Sequence, residues 1–169
     1  MINILTFDIE DWFHILDVGD LKRIENWHEY ESTLEKNTVR LLEILKNKKL
    51  KGTFFVLGWV GEKYPEIVAA IHKDGHEIGC HGYGHQLVTE MSREEFRNDL
   101  LRSIDIISSV VGVQPVSYRG PGFSITKENE WALEVIAACG FKYDSTIYPG
   151  RHGHGGHTKF KSEPTKIGF

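Results

Sequence analysis

The chain has 169 residues, 40% of them hydrophobic, which is enough for one domain with a buried core and too little to imply two. Its formal net charge is −4, from 20 basic and 24 acidic residues mixed along the sequence, so no basic stripe is offered to a phosphate backbone and nucleic acid is not an expected partner. Cys80 and Cys139 lie far apart in apolar stretches, no run is long and apolar enough to span a membrane, and Met1 to Asp8 lacks the basic and apolar regions of a signal peptide, so the expectation is buried thiols in a cytoplasmic protein.

The apolar, β-prone run Ile2 to Phe7 reads as a buried strand that gives way to the acidic cluster Asp8-Ile9-Glu10-Asp11. From Thr33 to Lys48 the apolar positions recur at helical spacing, Gly52 breaks the pattern, and Thr53 to Leu57 reads as a second strand. The unit then repeats. Tyr64 to Lys73 predicts a helix with Pro65 near its start and Gly75 as its stop, followed by a short strand from His76 to His81. Ser92-Arg93-Glu94-Glu95 is a capping box for a long helix to about Val111, ahead of a brief strand at Val116 to Arg119. Thr126 caps a helix to about Cys139, Gly140 ends it, and Phe141-Lys142-Tyr143 leads to Asp144. This β/α alternation predicts an α/β fold with a parallel sheet or barrel and helices outside, and five strands rather than eight predict a partial or distorted barrel.

In such folds the chemistry gathers at the strands' C-terminal ends. Asp8, His81, Arg119 and Asp144 each fall where a predicted strand stops, so they are expected to meet around one pocket. His81-Gly82-Tyr83-Gly84-His85 is the strongest signal, because two imidazoles on a tight loop can reach one metal ion. Cys80 should face away from His81 in an extended strand and is not counted as a ligand. A third, carboxylate ligand is expected from the acidic cluster, with a second carboxylate left to take a proton. Glu10 shares a face with Asp8 in an extended strand and is preferred; Asp11 is the alternative if the chain bends there.

Four segments in this order, Thr6-Phe7-Asp8 with its following carboxylates, His81 to His85, Arg119-Gly120-Pro121-Gly122-Phe123 and Tyr143-Asp144-Ser145-Thr146, resemble the motifs of the polysaccharide deacetylase family, the NodB-like carbohydrate esterases of family 4. The first motif is similar to that of the branch with Asp-x-Glu-Asp-Trp-Phe. The resemblance implies a distorted (β/α) barrel and metal-dependent removal of an acetyl group from an N-acetylated sugar or polysaccharide. It implies that Asp8 is the catalytic base, that Arg119 holds Asp8 ionised and oriented, and that His81 and His85 are ligands of a divalent metal. Zinc is the default, with cobalt, nickel, manganese and iron as possible occupants. A backbone N–H such as that of Tyr83 is a candidate donor to the developing oxyanion.

The sequence departs from the family pattern in three places. Ile9 follows Asp8 where a second aspartate is frequent, Gly82 stands where Ser or Thr usually steadies the loop, and the late histidine that serves as general acid has no match. The domain, residues 1–169, is therefore expected to lack the late barrel strands at its C-terminal end. His152, His154 and His157 fall in a glycine-rich run that reads as a mobile, solvated loop. Among the aromatic residues, Trp12, Tyr83 and Phe123 are the candidates for contact with a sugar ring, with Phe13 also worth testing. Two other functions stay open: a small-amide or cyclic-imide hydrolase of the same fold, and a non-catalytic carbohydrate-binding module. An incomplete barrel would expose apolar edges, so an oligomer is possible.

Overall fold

A computed structural model describes residues 3–168, apart from the side chain of Lys22. Five strands stand side by side in chain order: β1 (Thr6–Ile9), β2 (Thr53–Val56), β3 (Glu77–Cys80), β4 (Ser117–Tyr118) and β5 (Tyr143–Asp144). Every neighbouring pair is parallel. Between them run α1 (Leu34–Lys48), α2 (Gly58–Lys63), α3 (Pro65–Lys73), α4 (Arg93–Val111) and α5 (Trp131–Ala138). Strands that each pair with their sequence neighbours across a helical crossover form an arc of a (β/α) barrel wall rather than a doubly wound sheet. Among the described residues no helix is long and apolar enough to cross a membrane.

The ladder explains how the strands sort their side chains. Ile9, Val56, Cys80 and Tyr118 form one row of register partners, and all four are buried in the main apolar core. The alternate row Asp8, Phe55 and Gly79 points to the other face. That face is polar: Thr53 and Ser117 both donate their hydroxyls to Glu77. So the core sits between sheet and helices, and the opposite face is free for chemistry.

Three expectations shift. The first strand begins later than its apolar run: Ile2 lies outside the described residues, and the ladder starts where Thr6 meets Thr53, which leaves Asp8 inside β1 rather than beyond it. Helix α2 was not foreseen, because Gly58 and Gly61 argue against helix. Both glycines are required by close packing on α4: a Cβ on Gly58 would lie 2.9 Å from Ser103 Oγ, and one on Gly61 would lie 3.0 Å from Ile106. The helix expected from Thr126 is split into a 3-10 turn at Lys127–Asn129 and then α5. Asn129 accepts from the Thr126 N–H and returns to the Ser124 carbonyl, which closes that turn. By contrast the capping box of α4 forms as read, with Ser92 and Glu95 satisfying each other's N–H groups.

Candidate metal centre

Glu10 follows the last residue of β1, and His81 follows the last residue of β3. His81 is kept in line by its own N–H, which donates to the Val56 carbonyl at 2.9 Å. The chain then turns through Gly82 at φ +76 and reaches His85 at φ +52. A left-handed backbone is ordinary for glycine but unfavourable for histidine, so the second imidazole is held at a strained position. One ligand atom each from Glu10, His81 and His85 lies within 4.8 Å of the others. Glu10 Oε2 is 2.9 Å from His85 Nε2.

The tautomer of His81 suits a ligand. Its Nδ1 lies 2.6 Å from the Arg119 carbonyl oxygen, which can only accept, so Nδ1 carries the proton and Nε2 keeps its lone pair. Burial, the largest influence, pushes its pKa down and favours the neutral ring. Burial alone would raise the Glu10 carboxyl, but the hydrogen bond from His85 and the imidazoles of His85, His81 and His14 outweigh it, and the net shift is downward. Two imidazoles and one carboxylate are a donor set that fits a divalent first-row metal with coordination positions to spare.

Asp8 flanks this cluster with Oδ2 4.0 Å from His81 Nε2. Its other oxygen accepts from Arg119 Nη1 at 2.8 Å. The guanidinium is fixed further by donating to Thr6 Oγ1 and Ser145 Oγ and by lying 4.2 Å over the Phe55 ring. Asp144 does not join them. It is half-buried, desolvation pushes its pKa up, and it accepts from the Thr146 hydroxyl and N–H. Thr146 in turn accepts from the Gly120 N–H at 2.7 Å, so this carboxylate holds the turn after Arg119.

Asp11, the alternative third ligand, is corrected by the structure. It is buried, and its oxygens accept from the Trp12 N–H, the Ser32 and Thr33 hydroxyls, and the N–H groups of Thr33 and Leu34. It caps the N-terminus of α1, where a carboxylate satisfies otherwise unpaired N–H groups and the helix dipole. The Tyr83 N–H is likewise not free for an oxyanion, because it donates to both oxygens of Asp99 at 3.1 and 3.0 Å.

The aromatic candidates separate by environment. Phe13 is fully buried against Trp27, Tyr30 and Trp59 and cannot reach a sugar. Trp12 is 47% exposed, with its indole N–H donating to the Glu31 carbonyl. Tyr83 shares the wall of a cavity of about 480 Å³ with His85, Trp27 and Ile24. Its ring lies 3.4 Å from the Arg102 guanidinium, and its hydroxyl donates to Glu62. Phe123 packs its ring near Tyr148 and His152.

The glycine-rich run is not free in solvent. The Gly156 N–H donates to the Phe123 carbonyl and the His157 N–H to that of Tyr148, contacts that only glycines at 155 and 156 permit. His157 is buried on Glu130 at 2.7 Å, and His154 stands 3.4 Å from Asp17. Two residues near the site were missed. His14 is buried beside His85, with Nδ1 accepting from the Asp11 N–H; its spacing of three from Asp11 is a capping-box signal. Asp99 is half-buried beside Phe96, Leu100 and Ser103, which belong to the buried stripe of α4, where a carboxylate at the edge of a mostly apolar stripe is the available clue.

The family model for polysaccharide deacetylase matches residues 4–143. The chain is 36% identical over 98 residues to a peptidoglycan-N-acetylglucosamine deacetylase of Bacillus cereus, covering 57% of this chain and 36% of that protein. It is 32% identical over 108 residues to the peptidoglycan deacetylase of Helicobacter pylori, covering 64% and 36%. The crystal structure of a candidate polysaccharide deacetylase from Mycobacterium smegmatis superposes with a TM-score of 0.72 at 31% identity, covering 85% of this chain and 50% of that one. The chain thus spans about a third of the length of these two curated relatives.

Proposed function

The chain belongs to the polysaccharide deacetylase family, and from that premise we propose that it carries the metal and base site of a hydrolase that removes acetyl groups from the amino sugars of a bacterial cell-wall type of glycan. The observation that carries the reading is the convergence of Glu10, His81 and His85 beside an Asp8 that is held by Arg119. The peptidoglycan deacetylases among its relatives support the choice of glycan. A divalent ion held by Glu10, His81 and His85, with zinc the first expectation, would supply Lewis acidity toward the amide carbonyl and the attacking water.

The protein's own groups do the rest. Arg119 occupies Asp8 Oδ1 and leaves Oδ2 to take the proton from a water attacking the acetyl carbon. The carbonyl of Arg119 orients His81, so one residue sets both the base and a ligand. Return of that proton to the leaving nitrogen as the C–N bond breaks then yields acetate and the free amine. Tyr83, on the cavity wall next to His85, is the residue we assign to contact with the sugar.

Elemental analysis of the purified chain, beside a His81→Ala/His85→Ala double variant, tests the reading. Near-stoichiometric metal that the double variant loses, together with acetate release from N-acetylated oligosaccharide or peptidoglycan, is the expected result. Absence of metal even after reconstitution would sink it. Release from small amides alone would favour the amide hydrolase, and sugar binding without acetate would favour a binding module.

A further inference from the structure

The loop that presents His85 has almost no side-chain scaffold of its own, since residues 82 and 84 are glycines. It is gripped from two sides. On one side the N–H groups that open α2 donate to it, Gly58 to the Gly82 carbonyl at 2.8 Å and Trp59 to the Tyr83 carbonyl at 3.1 Å. On the other side Asp99 of α4 accepts from the Tyr83 N–H with both oxygens and from the Gly84 N–H. The carboxylate sits directly under the turn: a Cβ on Gly82 would lie 3.1 Å from Asp99 Oδ2. Three and four residues further along α4, on the same helical face, Arg102 covers the Tyr83 ring and Ser103 packs on Gly58.

We infer that Asp99 is a positioning residue that sets the metal affinity of the site by fixing the loop between His81 and His85. The inference rests on the reading of Glu10, His81 and His85 as ligands. The physical argument is one of preorganisation. His85 must hold φ +52, a conformation its own sequence does not favour. The N–H groups of the two residues before it are tied to one carboxylate, which removes the freedom of that segment to relax. Without the tie, the loop must be ordered at the moment of binding, and the ion binds more weakly. Among the described residues the Cys80 side chain accepts from the Gly82 N–H, and Asp99 holds those of Tyr83 and Gly84, next to His85.

The test is zinc affinity of the full chain, measured by competition with a chromophoric chelator, alongside thermal unfolding of the metal-free protein. Asp99→Asn replaces one acceptor oxygen with a donor facing two N–H groups, and the expected loss is about 10- to 100-fold in affinity, the range for outer partners of metal ligands. Arg102→Gln, which removes the guanidinium from the Tyr83 ring and hydroxyl and from Glu62 but leaves the Asp99 carboxylate under the loop, is the control and is expected to stay within about threefold of the parent. A folded Asp99→Asn that unfolds at lower temperature yet binds zinc as tightly as the parent would overturn the inference, because that is the signature of a merely structural residue. Should Asp99→Asn fail to fold, Asp99→Glu decides. It moves both oxygens by one methylene, so a several-fold loss supports the inference and parental affinity overturns it. A parent chain that binds no zinc would instead remove the reading of the ligands themselves.

Discussion

Arg119 reaches Asp8 across 2.8 Å although the two residues are 111 positions apart in sequence, one following β4 and the other within β1, with β2 and β3 between them. The guanidinium spans that gap on the Phe55 ring and leaves the second oxygen of Asp8 facing His81. A base and a ligand are thereby kept distinct although they are neighbours. Asp8→Asn is expected to lower turnover by about 10²- to 10⁴-fold, the usual worth of a general base, while metal content by elemental analysis stays at the parental level. Loss of the metal in that variant would mean that Asp8 is a ligand.

Glu10 and Asp11 are adjacent carboxylates with opposite assignments. Glu10→Ala is expected to abolish tight metal binding with little change in the unfolding midpoint of the metal-free chain. Asp11→Ala should do the reverse. It strands the N–H groups of Trp12 and Thr33 and leaves that of Leu34 to Ser32 alone, for an expected loss of about 2–4 kcal/mol from the orphaned donors. Urea denaturation of the two variants, with and without zinc, separates them.

The sequence is informative wherever a local rule decides. The box Ser92 to Glu95, Pro65 at the start of α3 and Gly140 after α5 are each read from a short window and recur in the structure. The division between Glu10 and Asp11 was only half legible, because strand alternation favours Glu10 but cannot see that Ser32, Thr33 and Leu34 come back to occupy Asp11. Helix α2 was illegible for a related reason: its glycines are chosen by the surface of α4 and not by helix propensity. The family resemblance rested on residues at strand ends, and those ends are set by the ladder, which is why Asp8 could be recognised while its strand was misplaced.

The buried imidazole of His14 predicts an acid limit to stability. Burial is the main cause that depresses its pKa from 6.5 to about 4, while Glu10 pulls the other way. Between those values the unfolded chain takes up a proton that the folded chain refuses. Its stabilisation is therefore complete above pH 6.5 and is lost as the pH falls toward 4, a change on the order of 3 kcal/mol. Urea unfolding of metal-free protein at pH 7 and 4.5 should show this slope, and His14→Gln, which retains an acceptor for the Asp11 N–H, should lose it. An equal slope in both proteins would assign the effect elsewhere.

Gly79 of β3 offers a test of how packing reaches the site. It lies in the row with Asp8 and Phe55, and a Cβ there would fall 2.6 Å from the Phe55 ring and 2.9 Å from Ser117 Oγ. Gly79→Ala must therefore tilt the ring that carries the Arg119 guanidinium. Overpacking of this kind costs about 1–3 kcal/mol, and the displaced Arg119 should lose its aim on Asp8 Oδ1 while Glu10, His81 and His85 stay together. Zinc affinity near the parental value with kcat reduced by an order of magnitude or more is the expected pattern. If kcat and stability both match the parent, the Phe55 ring has room to yield and Arg119 is held by Thr6 and Ser145 alone.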